Sequence, residues 1–94
     1  MAIYVDQLRT YQVIGTKASR YGTEWCHMAS DSADLTELHT MAMVIKLPIQ
    51  HFQDTDIPHY DITPNKRHLA VQHGAQEVSS KDLIRLCRHV KPNQ

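Results

Sequence analysis

The run His59-Tyr60-Asp61-Ile62-Thr63-Pro64-Asn65-Lys66-Arg67 carries more chemistry for its length than any other part of the chain. Thr63 and Pro64 mark a helix start, because a threonine hydroxyl accepts from an orphan N–H of the first turn and proline presets the first helical φ. Lys66 and Arg67 then fall in that first turn, where the helix dipole disfavours positive charge. An anion resolves the conflict. A phosphate accepts the free N–H groups and pairs with Lys66 or Arg67, while Asp61 takes a sugar hydroxyl and Tyr60 stacks on a base. A solution internal to the fold is also open, in which Arg67 pairs with an acid such as Asp61 and Lys66 is solvated.

A second constellation is histidine-rich: His27, His39, His51 and His59 share the middle of the chain with Asp31 and Asp61. Convergence of two histidines and a carboxylate suits a zinc or manganese hydrolase, since the ion acidifies a bound water and polarises a phosphoryl oxygen. The chain has no HxH, HExxH or Cys/His knuckle, and His39 beside an apolar helical stripe reads as a packed or surface residue. Cys26 adjoins His27, yet neighbouring strand residues point to opposite faces, so that pair makes no nucleophile and base. Gly15, Gly22 and Gly74 form no phosphate-binding loop. The row Lys81, Arg85, Arg88 is the sole feature that favours nucleic acid, and it reads as a solvated helix face.

These residues need elements to hold them. Ala2-Ile3-Tyr4-Val5 reads as a strand ended by Asp6, and Gln7 to Thr23 as a long loop with a short strand at Val13 and Ile14. Trp25 to Ala29 reads as a second strand. Asp31 and Asp34 signal a helix start, and Leu35, Leu38, Ala42 and Ile45 give one apolar stripe, so a helix is expected over 32–46, before Pro48. Residues 49–53 read as a third strand and Pro58 to Ile62 as another extended run. A helix from Pro64 to His73 closed by Gly74, a strand at Gln76 to Val78, and a helix capped by Ser79 or Ser80 with Leu83, Leu86, Cys87 and Val90 inward complete the chain. The expected fold is α+β, or small α/β: a mixed sheet of about four to five short strands with three helices, in a single domain spanning 1–94.

Composition narrows the class. The 94 residues are 41% hydrophobic with zero formal net charge, enough for one small core and short of a second. The charge is unevenly spread: residues 24–61 hold seven acids against Lys46, whereas 62–94 hold six bases against Glu77 and Asp82. That separation permits an anionic ligand or charge-complementary self-association. No apolar run reaches the ~20 residues of a membrane span, and the first residues are too short and polar for a signal peptide. Two cysteines outside any CxxC pair fit a reducing compartment, so a cytoplasmic location is expected.

One family shares the pattern. Ile3-Tyr4-Val5-Asp6, Trp25-Cys26-His27-Met28, Asp31, Glu37-Leu38-His39, Phe52-Gln53, His59-Tyr60-Asp61, Asn65-Lys66-Arg67 with Ala70-Val71, and Gly74-Ala75 with Glu77 occur in this order. Together they resemble the small bacterial and phage family of domain of unknown function 4031. The resemblance brings no activity with it. It implies that His27, Asp31, Gln53, His59, Tyr60, Asp61, Lys66 and Arg67 form one recurring polar constellation. The reading put first is therefore a small homo-oligomeric binding protein for a phosphorylated or nucleotide-like molecule, which in a phage setting would sequester a nucleotide signal. Lys66 and Arg67 hold phosphate, Tyr60 or Trp25 stacks, and Gln53, His27 and Asp61 select polar edges. No catalytic residue, metal or other cofactor is assigned in it, and neither membrane nor nucleic acid is expected as a partner. Two alternatives stay open: a metal-dependent phosphodiesterase or nuclease using His27, Asp31, His59 and Asp61, and a protein-interaction module without a small ligand.

Overall fold

The computed structural model describes residues 2–10 and 24–88. Its elements in chain order are β1 (Ile3–Val5), β2 (Arg9–Thr10), β3 (Glu24–Ser30), α1 (Thr36–Val44), a 3-10 turn (Ile49–His51), β4 (Phe52–Gln53), β5 (His59–Ile62), α2 (Pro64–Gln72), β6 (Gln76–Glu77) and α3 (Ser80–Cys87). The fold is α+β, with three helices and a mixed sheet in the order β4-β5-β3-β1-β6, β2 also pairing with β3. Among the described residues β1 and β6 run parallel and the other pairs are antiparallel. Six strands stand where four to five were expected, the difference being pieces two residues long.

The period-2 alternation of strand side chains divides the sheet into two unlike faces. Val5 lies opposite Met28, Cys26 opposite Ile62 and Met28 opposite Tyr60, so these apolar side chains share one face. They pack with Leu38, Ala42 and Ile45 of α1 and its end and with Ala70 of α2 to form the main core. The second face carries His27 opposite Asp61 and Ala29 opposite His59. Helix α3 covers part of it, through Leu83 and Cys87 packed on Ala29, with Ile57 beside them.

Local hydrogen bonding explains where helices begin. Thr63 caps α2 through its hydroxyl, which accepts from the Lys66 N–H at 3.4 Å, and Ser79 caps α3 by accepting from the Asp82 N–H at 3.1 Å. α1 departs from the expected 32–46. Ser30 accepts from the Ser32 N–H at 3.0 Å, Ser32 from the Asp34 N–H at 3.1 Å and Asp34 from the Thr36 N–H at 2.9 Å. Such side-chain bonds offer the backbone an alternative to helix, and α1 waits until Thr36. Asp31 does not cap it. Its carboxylate turns back to β1, accepting from the Ala2 N–H at 2.8 Å and the Tyr4 hydroxyl at 3.4 Å. The third expected strand also shortens, because the chain after Pro48 first makes the 3-10 turn, with the His51 N–H on the Pro48 carbonyl. A short strand does interrupt the segment read as loop, at Arg9–Thr10; Val13, Ile14 and Val90 lie outside the described residues.

β1 and β2 meet β3 in different registers. Val5 pairs with Met28 and Arg9 with Trp25, so four steps along one edge are matched by three on the other, which is a bulge centred on Asp6 to Leu8. The ends of α1 and α2 share another motif. In α2 the Gly74 N–H donates to Val71 and the Ala75 N–H to Ala70; in α1 the Lys46 N–H donates to Met43 and the Leu47 N–H to Ala42. Both are Schellman closures, which require a left-handed residue at the turn. Gly74 takes it with φ 104° and Lys46 with φ 63°.

Gly74 has open space where a Cβ would go, so a substitution there tests the backbone alone. Gly74→Ala is expected to lower stability by about 1 kcal/mol through left-handed strain. A urea titration checks it, with an unchanged m-value showing that the fold is retained.

Candidate metal centre

Asp6 is the most buried charge among the described residues, at 1% exposure. It sits in the bulge after β1, facing His27 of β3 across the broken ladder. The Asp6 N–H still donates to the His27 carbonyl at 3.2 Å. The return bond is taken over by the side chain, since the His27 N–H donates to Asp6 Oδ1 at 2.7 Å. The freed Asp6 carbonyl accepts Arg67 Nε at 2.9 Å. Asp6 Oδ2 accepts twice, from His27 Nδ1 at 2.8 Å and from the Ser80 hydroxyl at 3.0 Å. Burial alone would push this carboxyl upward, but the His27 side-chain and backbone hydrogen bonds, the His27 charge and Ser80 outweigh it and hold it below its ordinary value.

With Nδ1–H given to a carboxylate, the neutral His27 ring leaves Nε2 as a lone pair facing outward. His59 is fixed the same way by a different acceptor. Its Nδ1 lies 2.6 Å from the Ile57 carbonyl, which can only accept, so in the neutral ring Nε2 is also a lone pair. The two rings meet edge to face with centroids 5.0 Å apart. His59 and Asp61 are two apart on β5 and therefore share a face, and Asp61 is the register partner of His27. As a result Asp61 Oδ1 stands 3.4 Å from His59 Nε2 and 3.7 Å from His27 Nε2.

Two imidazole lone pairs and a carboxylate oxygen repel unless a cation lies among them. A proton is one such cation. Burial lowers the His59 pKa, but hydrogen bonds to Asp61 and the Ile57 carbonyl, with the charges of Asp61 and Asp6, raise it above the ordinary value overall. Asp61 is held low chiefly by the His59 hydrogen bond, against burial. A metal ion is the other. Ligands at 2.0–2.2 Å in a zinc tetrahedron stand about 3.4 Å apart, close to both separations, whereas charge-assisted N–H···O bonds close to about 2.7–2.9 Å. One ligand atom from each of His27, His59 and Asp61 falls within a 4.8 Å span. Side-chain exposures of 34%, 17% and 45% leave the outer side of the triad open to solvent.

The other residues singled out from sequence separate into clear groups. Gln53 flanks His59 in register and is exposed. Trp25 lies two residues before His27 and lines a recess of about 250 Å³ with Asp61 and Lys66. Tyr60 is on the core face, 1% exposed, with its hydroxyl 2.8 Å from His39 Nδ1, so it does not face the triad. His39 packs edge-on against Phe52. Asp31 is four residues along β3 from His27, about 13 Å at strand rise, and bound to Ala2 and Tyr4. Arg67 pairs with Glu77 at 2.7 Å rather than Asp61, and Lys66 Nζ donates to the Ile45 carbonyl at the end of α1 at 2.7 Å. The charge conflict at the start of α2 is thus met by two carbonyls and a carboxylate. Cys26 is buried in the core and its thiol is pushed up to about 12, mainly by that burial. Sequence reasoning missed Asp6 and Ser80. The available signal was an aspartate directly after an apolar strand, where an isolated carboxylate has no reason to be.

The shifted Asp6 pKa makes a stability prediction. A carboxyl whose folded pKa is depressed stabilises the fold above its unfolded value, about pH 4, and that contribution drains away as the pH falls toward the folded value. Asp6→Asn is expected to cost about 3 kcal/mol near neutral pH by leaving His27 and Ser80 without their anionic partner. The gap between wild type and variant should narrow in urea titrations taken from pH 6 downward; a constant gap would show that Asp6 acts by packing alone.

No curated protein and no solved structure matches the chain. Residues 3–90 match the family described as Protein of unknown function (DUF4031), a span that includes β1 with Asp6, the His27 strand and the His59-Tyr60-Asp61 strand. The chain belongs to that family of unknown function.

Proposed function

We propose that the protein is a divalent-metal hydrolase of phosphate esters, with His27, His59 and Asp61 holding an ion of the zinc or manganese type. The observation that carries the reading is the convergence of two Nε2 atoms, on rings each oriented by an acceptor at its own Nδ1, on one carboxylate oxygen. Orientation of this kind is a property of ligating histidines, whose second nitrogen is regularly tied to a carboxylate or carbonyl. Three protein ligands leave a coordination position for water. When bound, such an ion supplies Lewis acidity: it lowers the pKa of that water and draws charge from a phosphoryl oxygen.

The chain's own groups account for the rest. Asp6 holds the His27 ring in one tautomer and one orientation, acting as a positioning residue. Ile57 does the same for His59. Asp61 is shared between the triad and the recess that carries Lys66, so an ester entering there meets an ammonium group beside the carboxylate of the triad. A phosphoryl group suits that pairing, since both attract the same anionic oxygens. The nucleotide-sequestering reading retains the recess but loses Arg67 as a phosphate ligand in this conformation. Two buried, unpaired thiols favour a reducing, cytoplasmic setting for the protein.

The test is metal titration of protein without a histidine tag, followed by hydrolysis of bis(4-nitrophenyl) phosphate. One equivalent of Zn²⁺ or Mn²⁺ is expected to bind, and ester cleavage should depend on it. His59→Ala and Asp61→Asn are expected to abolish stoichiometric binding, and Asp6→Asn to weaken it by about 10- to 100-fold. Absence of binding by the wild-type protein would remove the reading.

A further inference from the structure

The recess beside the triad holds the one strained side-chain-bearing residue among those described. Lys46 adopts φ 63°, a left-handed conformation that costs an L-residue with a Cβ more than glycine. Helix α2 closes with the same hydrogen-bond pattern and places Gly74 at the equivalent point. The backbone closure therefore asks for glycine at 46, and the lysine there needs another reason. Strain kept at a defined position is a pointer to function.

The surroundings of Lys46 supply one. It lines the recess of about 250 Å³ together with Trp25, His51, Asp61, Thr63 and Lys66. Lys66 uses one ammonium hydrogen on the Ile45 carbonyl, and an ammonium group carries three. Trp25 contributes a half-buried indole on the strand that also bears His27. An aromatic face and two cations in one depression match a flat base joined to a phosphate. His27 and His59 themselves line a smaller pocket of about 180 Å³ with Ile57, Leu83 and Ile84, which has neither a lysine nor an indole. The two depressions at the triad are thus chemically unlike, which gives a bound ester a direction.

We infer that this recess is a nucleotide subsite, in which Trp25 stacks on the base while Lys46 and Lys66 pair with phosphate, placing the ester bond beside Asp61. The inference deepens the phosphate-ester reading by naming its substrate class as nucleotides, and it depends on that reading only for the cleavage step.

Lys46→Gly separates this role from folding, because relief of strain should raise the melting temperature while binding falls. Equilibrium dialysis of metal-free protein against AMP, adenosine and inorganic phosphate is the first arm. AMP is expected to bind more tightly than either fragment. Lys46→Gly should weaken AMP about tenfold, the loss of one charge-assisted bond. Trp25→Leu should cost about tenfold as well, with Trp25→Phe recovering most of it. Zinc titration of the same samples is the second arm. Zinc binding without AMP binding, or AMP affinity untouched by Lys46→Gly, overturns the subsite and leaves the metal centre standing. AMP binding that depends on Lys46 and Trp25 without zinc binding keeps the subsite and removes the hydrolase.

Discussion

Burying the Asp6 carboxylate is the constraint around which the second face of the sheet is arranged. An ionised carboxylate removed from water costs several kcal/mol unless its lone pairs are occupied. Here they are occupied by three donors from two other places in the chain: the His27 backbone and ring on β3, and the Ser80 hydroxyl at the start of α3. The residue's own carbonyl, displaced from the ladder, accepts Arg67 from α2. Each of these contacts fixes something larger than itself. The β1 to β3 register, the docking of two helix starts and the tautomer of His27 all follow from satisfying one buried charge.

The two faces divide the work of the sheet. Apolar residues on one face give the chain its core with α1 and α2, and the opposite face is left with a polar row from Asp6 through His27 to Asp61. α3 covers only the Ala29 end of that face. A short amphipathic helix is enough to shield Asp6 without closing over the triad. Its first turn supplies Ser80, while Leu83 packs on the sheet and Ile84 stays 43% exposed at the rim of the smaller pocket. Burial and access are therefore set by how far one helix extends.

Much of the fold was legible because its signals are local. Thr63 with Pro64, Gly74, Ser79 and the Leu38–Ala42–Ile45 stripe act within a few residues of themselves, and the structure places them as the sequence implies. The start of α1 was less legible because Ser30, Ser32 and Asp34 compete for the same N–H groups that a helix would use. The site was legible by halves. His59 and Asp61 share a face by strand period alone, whereas His27 joins them only through a register that no spacing reveals. Asp6 stood out in the sequence only as the end of a strand, because its role arises from a bulge. Lys66 and Arg67 showed the opposite failing: the dipole argument asked correctly for negative partners, but these came from Ile45, Asp6 and Glu77, distant in sequence and invisible to a local reading.

The bond between Ser80 and Asp6 joins positions 74 residues apart, and this has a consequence for how the protein comes into being. β1 is made well before α3, and its terminal carboxylate obtains its last donor only when α3 emerges. Until then the N-terminal strand carries an anion with an incomplete shell, and burial against β3 is held back by that deficit. Contacts of such long separation form slowly because loop closure must precede them. The histidine triad is accordingly a late product of folding, and a chain whose synthesis stops before Ser80 keeps its strands without the group that locks Asp6, and with it His27, in place.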